Sequence, residues 1–225
     1  MAIQLQSTKG LHTNGVKILV YGHSGAGKTS LIPTLPNPVV LSAEGGLLSI
    51  ADHDVPYLEI RDMQTLMDAY NFITQDGQAN NFDSIALDSI SEIAEVVLSA
   101  EKKKTKDPRQ AYGELMTQMQ DLIRAFRDIK GKHVYFTAKC EKQQDEQGRL
   151  LYSPSMPGAK LGQQLPYFFD EVFALRVEKG EDGKPVRALQ CDSDGLWSAK
   201  DRSGRLEAWE MPDLGEIIRK IGGES

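Results

Sequence analysis

An α/β fold is the class this sequence predicts: a mainly parallel central sheet flanked by helices, with a β-hairpin region toward the C-terminal end. Three observations predict it. Gly22-His23-Ser24-Gly25-Ala26-Gly27-Lys28-Thr29 matches G-x-x-x-x-G-K-[ST], the phosphate-binding loop (P-loop) that joins a strand to a helix. Residues 38–43, 82–88 and 133–138 are apolar runs with little polar alternation, as in parallel strands buried on both faces. Residues 170–178 and 186–191 flank the turn Gly180-Glu181-Asp182-Gly183-Lys184, the pattern of a hairpin.

The elements follow in order. Residues 1–14 read as an N-terminal arm, and 15–225 as one domain, because the chain shows no repeat and no clear linker. Residues 16–21 alternate and are β-branched, so a strand enters the P-loop. Gly25 and Gly27 let the loop turn its N–H groups inward. The helix after the loop is short, because Pro33, Pro36 and Pro38 follow. Loop amides and helix start together form an anion site. In it Lys28 reaches the outer phosphates, Thr29 offers a Mg²⁺ ligand, and Ser30 completes the nucleotide contacts.

Residues 38–43 place Glu44 at the C-terminal end of a buried strand, where open α/β sheets hold ligands. Residues 55–60 are a short strand. Asp62 caps a helix with Met63, Leu66, Met67 and Tyr70 on one face, and the polar segment 75–81 ends it. The run Phe82-Asp83-Ser84-Ile85-Ala86-Leu87-Asp88-Ser89 delivers Asp88 to the same sheet edge, in the manner of a Walker B carboxylate that holds Mg²⁺. A helix over 90–104 ends in Lys102, Lys103 and Lys104, followed by Lys106 and Arg109. These cations either complement the helix dipole or form a phosphate-backbone patch. A helix over 110–130 carries an apolar stripe from Leu115 to Ile129. The strand 133–138 ends at Lys139, which is either a γ-phosphate sensor or a solvated lysine. Residues 141–165 read as a long polar loop with Arg149 and Lys160, within which 150–154 could form one hairpin arm. Residues 196–200 are a further strand candidate. Pro212 opens a last helix with Leu214, Ile217, Ile218 and Ile221 on one face and Gly222 as its cap.

Composition narrows the function. A net charge of −6 excludes a globally basic nucleic-acid coat but leaves room for a local basic patch. Cys140 and Cys191 alone suggest reduced thiols. No apolar stretch approaches a membrane span and residues 1–14 lack a signal-peptide core, so a cytoplasmic protein without a membrane partner is expected. Around the phosphates, no N-K-x-D element of a G-protein occurs, Ser89 stands where many motor ATPases have a catalytic Glu, and a kinase lid would need more than Arg149 and Lys160. Glu44 therefore remains as the group that polarises water, unless it only precedes the Gly45-Gly46 turn.

P-loop, Glu44 at the end of the next strand, and an apolar strand ending Asp88-Ser89 together resemble the RecA family of recombinases. Within it the sequence is most similar to the compact phage RecA-core proteins that act as single-strand annealing proteins, the phage AAA-type ATP-binding proteins. Leu35-Pro36, Ser42-Ala43-Glu44-Gly45-Gly46 and Leu165-Pro166-Tyr167-Phe168-Phe169-Asp170-Glu171-Val172 share in the likeness, which spans about 15–221. The resemblance implies a RecA-like P-loop ATPase using ATP and Mg²⁺, with Asp88 positioning the metal and Glu44 activating water. Lys139 would be the phosphate-sensing position, where RecA carries Gln. Residues 102–109 and 141–165 would be the two loops facing single-stranded DNA, the second acidic at Asp145-Glu146. ATP sites would lie between subunits of a ring or filament, with Lys200 and Arg202 reaching a neighbour's site. A separate single-strand DNA-binding protein would assist, in the host cytoplasm if the chain is phage-encoded. The alternative is an ATP-dependent switch or motor acting on a protein partner without DNA; a small-molecule kinase is the remaining reading.

Overall fold

The computed structural model describes residues 14–144, 147–180 and 182–223. The expected arm (1–13) and the acidic pair Asp145-Glu146 therefore lie outside the described residues. Ten strands form one sheet: β1 Lys17–Gly22, β2 Pro38–Ser42, β3 Tyr57–Glu59, β4 Ser84–Asp88, β5 His133–Gln144, β6 Leu150–Ser155, β7 Glu171–Lys179, β8 Pro185–Gln190, β9 Lys200–Asp201 and β10 Trp209–Glu210. The helices are α1 Met63–Gln75, α2 Ile90–Lys104, α3 Pro108–Arg127, α4 Ala159–Gln164 and α5 Leu214–Gly222. The strand order is β10-β8-β7-β1-β5-β4-β2-β3, with β6 on the far part of β5 and β9 on β7. The segment from β7 to β3 is parallel, whereas β6, β8, β9 and β10 pair antiparallel. This is the α/β class expected, hairpin region included.

The lack of alternation in the central strands has a direct cause. Leu19, Tyr21, Leu41, Leu87 and Phe136 pack toward α1, α2 and α3. Their sequence neighbours Ile18, Val20, Val40, Ala86 and Tyr135 pack on the other face against α5 and the 3₁₀ turn after the P-loop. Both faces are covered, so both side-chain sets are apolar. Asp62 caps α1 through a reciprocal capping box with Thr65. Asp107 and Pro108 open α3.

Four expectations change. The helix after the P-loop is a 3₁₀ helix, Thr29–Thr34, that contains Pro33. With no α-helix there, the anion site depends on loop amides rather than on a helix dipole. The stretch 141–165 is not a loop. β5 runs on past the sheet edge, turns back as β6, and α4 follows. Its polar side chains made it look irregular because this ribbon is only half-buried and has no continuous apolar face. Within 196–200 only Lys200 belongs to a strand, and Trp197 makes a single bridge to Tyr152. Finally, Gly223 rather than Gly222 ends α5, with the left-handed backbone (φ +83°) that glycine tolerates. Among the described residues no helix is long and apolar enough to cross a membrane.

Candidate functional site: a phosphate loop with two carboxylates

The site lies at the C-terminal edge of the parallel strands. β1 ends in Gly22, whose neighbour across the ladder is Lys139 at the end of that part of β5. Gly25 (φ +76°) and Gly27 (φ +104°) take backbone conformations closed to ordinary side chains, and nothing stands within 4 Å of where a Gly25 Cβ would be. His23, Ser24 and Gly25 are exposed while Ala26 is buried, so the loop is seated on one side and open on the other. The Lys28 ammonium folds back over the loop and donates to the carbonyls of Gly22 (3.0 Å) and His23 (3.1 Å). Partial burial lowers its pKa, opposed by the Glu44 and Asp88 carboxylates. Ser30, just after Thr29, is exposed.

Asp88 ends β4 and is 1% exposed. The Thr29 hydroxyl donates to one of its oxygens (2.8 Å) and the Thr137 hydroxyl to the other (2.5 Å). Burial raises the Asp88 pKa, and these two hydrogen bonds oppose the rise. A buried carboxylate beside a threonine hydroxyl is a set of hard oxygen donors, which fits Mg²⁺. Thr29 and Asp88 would hold that ion, directly or through water.

Glu44 is exposed at the end of β2, next to Asp88. The Asp88 carbonyl accepts from the N–H groups of Ala43 (2.8 Å) and Glu44 (3.4 Å). The Ser89 hydroxyl donates to the Glu44 carboxylate and accepts the Glu92 N–H at the start of α2 (3.4 Å). One serine thus caps a helix and aims a carboxylate. The Asp88–Ser89 peptide is cis.

Lys139 lies on this edge, but its ammonium is paired with Glu92 (2.7 Å), which raises its pKa, and its N–H donates to Ser91 (2.9 Å). Lys200 and Arg202 sit at the opposite edge. Lys200 is tied to the carbonyls of Pro166 and Phe169 (2.7 and 2.6 Å), and Arg202 pairs with Asp170 (2.9 Å). Neither touches this chain's own P-loop. Lys102, Lys103, Lys106 and Arg109 are exposed around the α2–α3 corner, and Lys104 pairs with Glu101. Arg149 is in the β5–β6 turn and Lys160 is exposed in α4.

Sequence reading missed four groups. Thr137 interrupts an apolar strand, and that lone hydroxyl in a buried run was a usable signal. Tyr135 donates to the Lys28 carbonyl (2.9 Å), bracing the P-loop from beneath. Arg187 on β8 donates from Nε to the Ala26 carbonyl (2.9 Å). Trp197 stacks on Tyr152 of β6 (4.3 Å), and both meet His23 of the P-loop edge-on (5.7 and 5.9 Å). The last two depend on pairings that no local pattern announces.

A family model described as an AAA domain matches residues 14–203. No curated protein matches the chain significantly. With the P-loop, both carboxylates and the strands that carry them inside that match, the chain belongs to the AAA domain family, a family of P-loop ATPases.

Proposed function

We propose that this chain is an ATP-dependent, single-stranded-DNA-binding recombination protein of the annealing or RecA-like kind. On this reading it hydrolyses ATP at the subunit interfaces of a homo-oligomer. The loop amides and Lys28 bind the phosphates. Glu44, held by Ser89, orients the attacking water and takes its proton. Mg²⁺, when bound at Thr29 and Asp88, supplies charge neutralisation at the phosphates. Removal of one proton from the water that attacks the γ-phosphorus, and stabilisation of the charge left on the departing ADP, are what hydrolysis asks of the protein.

The observation that supports DNA as the partner is one corner of the surface. The Lys102 ammonium lies 5.5 Å from the centre of the Tyr112 ring. The same ring packs on the segment leading into α4, where a Cβ on Gly158 would be 3.5 Å away. The basic stretch 102–109 and the segment with Lys160, far apart in sequence, therefore meet around a 40% exposed tyrosine. Lysines that track a backbone beside an aromatic face that stacks bases are how single strands are held. A second reading, a switch acting on a protein partner, has its own observation. Leu48 (89% exposed) and Tyr57 (60%) flank a cavity of about 500 Å³ next to Glu44.

ATP turnover with and without single-stranded DNA, with assembly state followed by light scattering, tests the proposal. Turnover should rise and a larger assembly should form on DNA. If both are indifferent to DNA, the DNA reading fails and the protein-partner reading takes its place.

A further inference from the structure

Arg187 lies on β8 opposite Val177, two strands from the P-loop strand and past the point where β7 stops pairing with it. Its side chain reaches back to the loop, where Nε donates to the Ala26 carbonyl at 2.9 Å. A Cβ on Gly27 would stand 3.2 Å from that Nε and 3.5 Å from Cδ, so the arginine packs directly on Gly27. The Ala26 N–H is also fixed, donating to the His23 carbonyl (3.2 Å). A planar trans peptide points the carbonyl of one residue and the N–H of the next in opposite directions. Drawing the Ala26 carbonyl toward Arg187 therefore turns the Gly27 N–H to the other side. Among the described residues that N–H donates to no backbone acceptor.

We propose that Arg187 is a positioning residue for the phosphate cradle. It holds the Ala26–Gly27 peptide so that the Gly27 N–H faces a bound nucleotide phosphate. The inference rests on the reading of the loop as a nucleotide site, not on DNA as the partner. A charged donor makes a hydrogen bond about twice as strong as a neutral one, which suits it to fix a glycine-rich loop. A lysine would bring the charge on a flexible stem without the fixed Nε geometry.

Equilibrium binding of ADP and ATP to the full chain, with steady-state hydrolysis, provides the test. The held N–H meets phosphate in ground and transition states alike, so Arg187→Ala should raise Kd and KM about tenfold and change kcat less than about twofold. Arg187→Lys should recover part of the loss. Arg187→Met keeps the stem over Gly27 without the donor and should behave like Arg187→Ala, with the nucleotide-free unfolding temperature of the wild type. If Arg187→Ala and Arg187→Met bind both nucleotides as the wild type does, the inference is overturned. It is equally overturned if Arg187→Met restores binding, since packing would then be the whole effect. A wild type that binds nucleotide but ignores DNA removes only the DNA reading. One that binds neither nucleotide removes both.

Discussion

Thr137 and Ser89 decide where the two carboxylates of the site point. Each is a hydroxyl whose only route to the carboxylate is the fold: Thr137 lies on β5 and Asp88 on β4, and Ser89 reaches back to Glu44 on the strand beyond. Groups that orient a metal ligand typically account for 10–100-fold in metal affinity. Thr137→Val should accordingly raise the Mg²⁺ concentration for half-maximal ATP hydrolysis by about tenfold or more, measured by Mg²⁺ titration at saturating ATP. An unchanged titration would remove Thr137 from the metal site. Glu44→Gln keeps an oxygen that can accept from Ser89, so ATP binding should persist while turnover falls by about 10²–10⁴-fold. Near-normal turnover would exclude Glu44 as the base. Lys28→Ala should lose ATP binding or turnover, because it removes the charge held over the loop for the outer phosphates.

At the scale of elements, the β5–β6 ribbon and the P-loop share an aromatic junction. Tyr21 on the P-loop strand donates to the carbonyls of Tyr152 (3.0 Å) and Ser198 (2.8 Å), and Trp197 is stacked between this strand and β6. With only two tryptophans in the chain, Trp209→Phe leaves Trp197 as the sole reporter. Its emission should change when Mg-ATP reaches the loop that carries His23. A flat titration with binding shown independently would mean that loop and stack do not communicate. The α2–α3 corner makes a separate prediction. Replacing Lys103, Lys106 and Arg109 together by Glu should leave basal hydrolysis intact, since none of them nears the phosphates. It should also lower the salt slope of single-strand binding by about two, at about 0.7 per phosphate contact. An unaltered slope would place the DNA elsewhere.

For the whole molecule, one buried acid sets a pH dependence far from the nucleotide. Burial, then the neighbouring Asp201, pushes the Glu171 pKa from 4.5 to about 8. Its folded value exceeds its unfolded one, so the native chain keeps a proton that the unfolded chain has released. That contribution to stability is complete below about pH 4.5 and is lost as pH rises to about 8. The urea midpoint should fall across this window, and Glu171→Gln should flatten the fall. What was legible in the sequence divides along the same line between near and far. The P-loop, Asp88, the Asp62 cap and the β7–β8 hairpin are written in neighbouring residues, and local chemistry produces them. Arg187 on Ala26, Thr137 on Asp88 and the Tyr152–Trp197–His23 contacts arise where distant strands are brought side by side. The outer half of β5 was hidden for another reason: a half-buried ribbon needs no continuous apolar face.

That outer half also has a mechanical meaning. β5 is a single unbroken strand of 12 residues. Thr137, near its middle, grips the aspartate of the site, while Gln144 ends the strand seven residues further on. β5 stays paired with β1 as far as Lys139, so the overhang is the five residues beyond it, roughly 17 Å at about 3.3 Å per residue. Paired with β6 along its length and held at Tyr152 by the Tyr21 hydroxyl and the Trp197 ring, it is a braced arm rooted beside Asp88. One continuous strand thus joins the partner of Asp88 to the surface at Gln144.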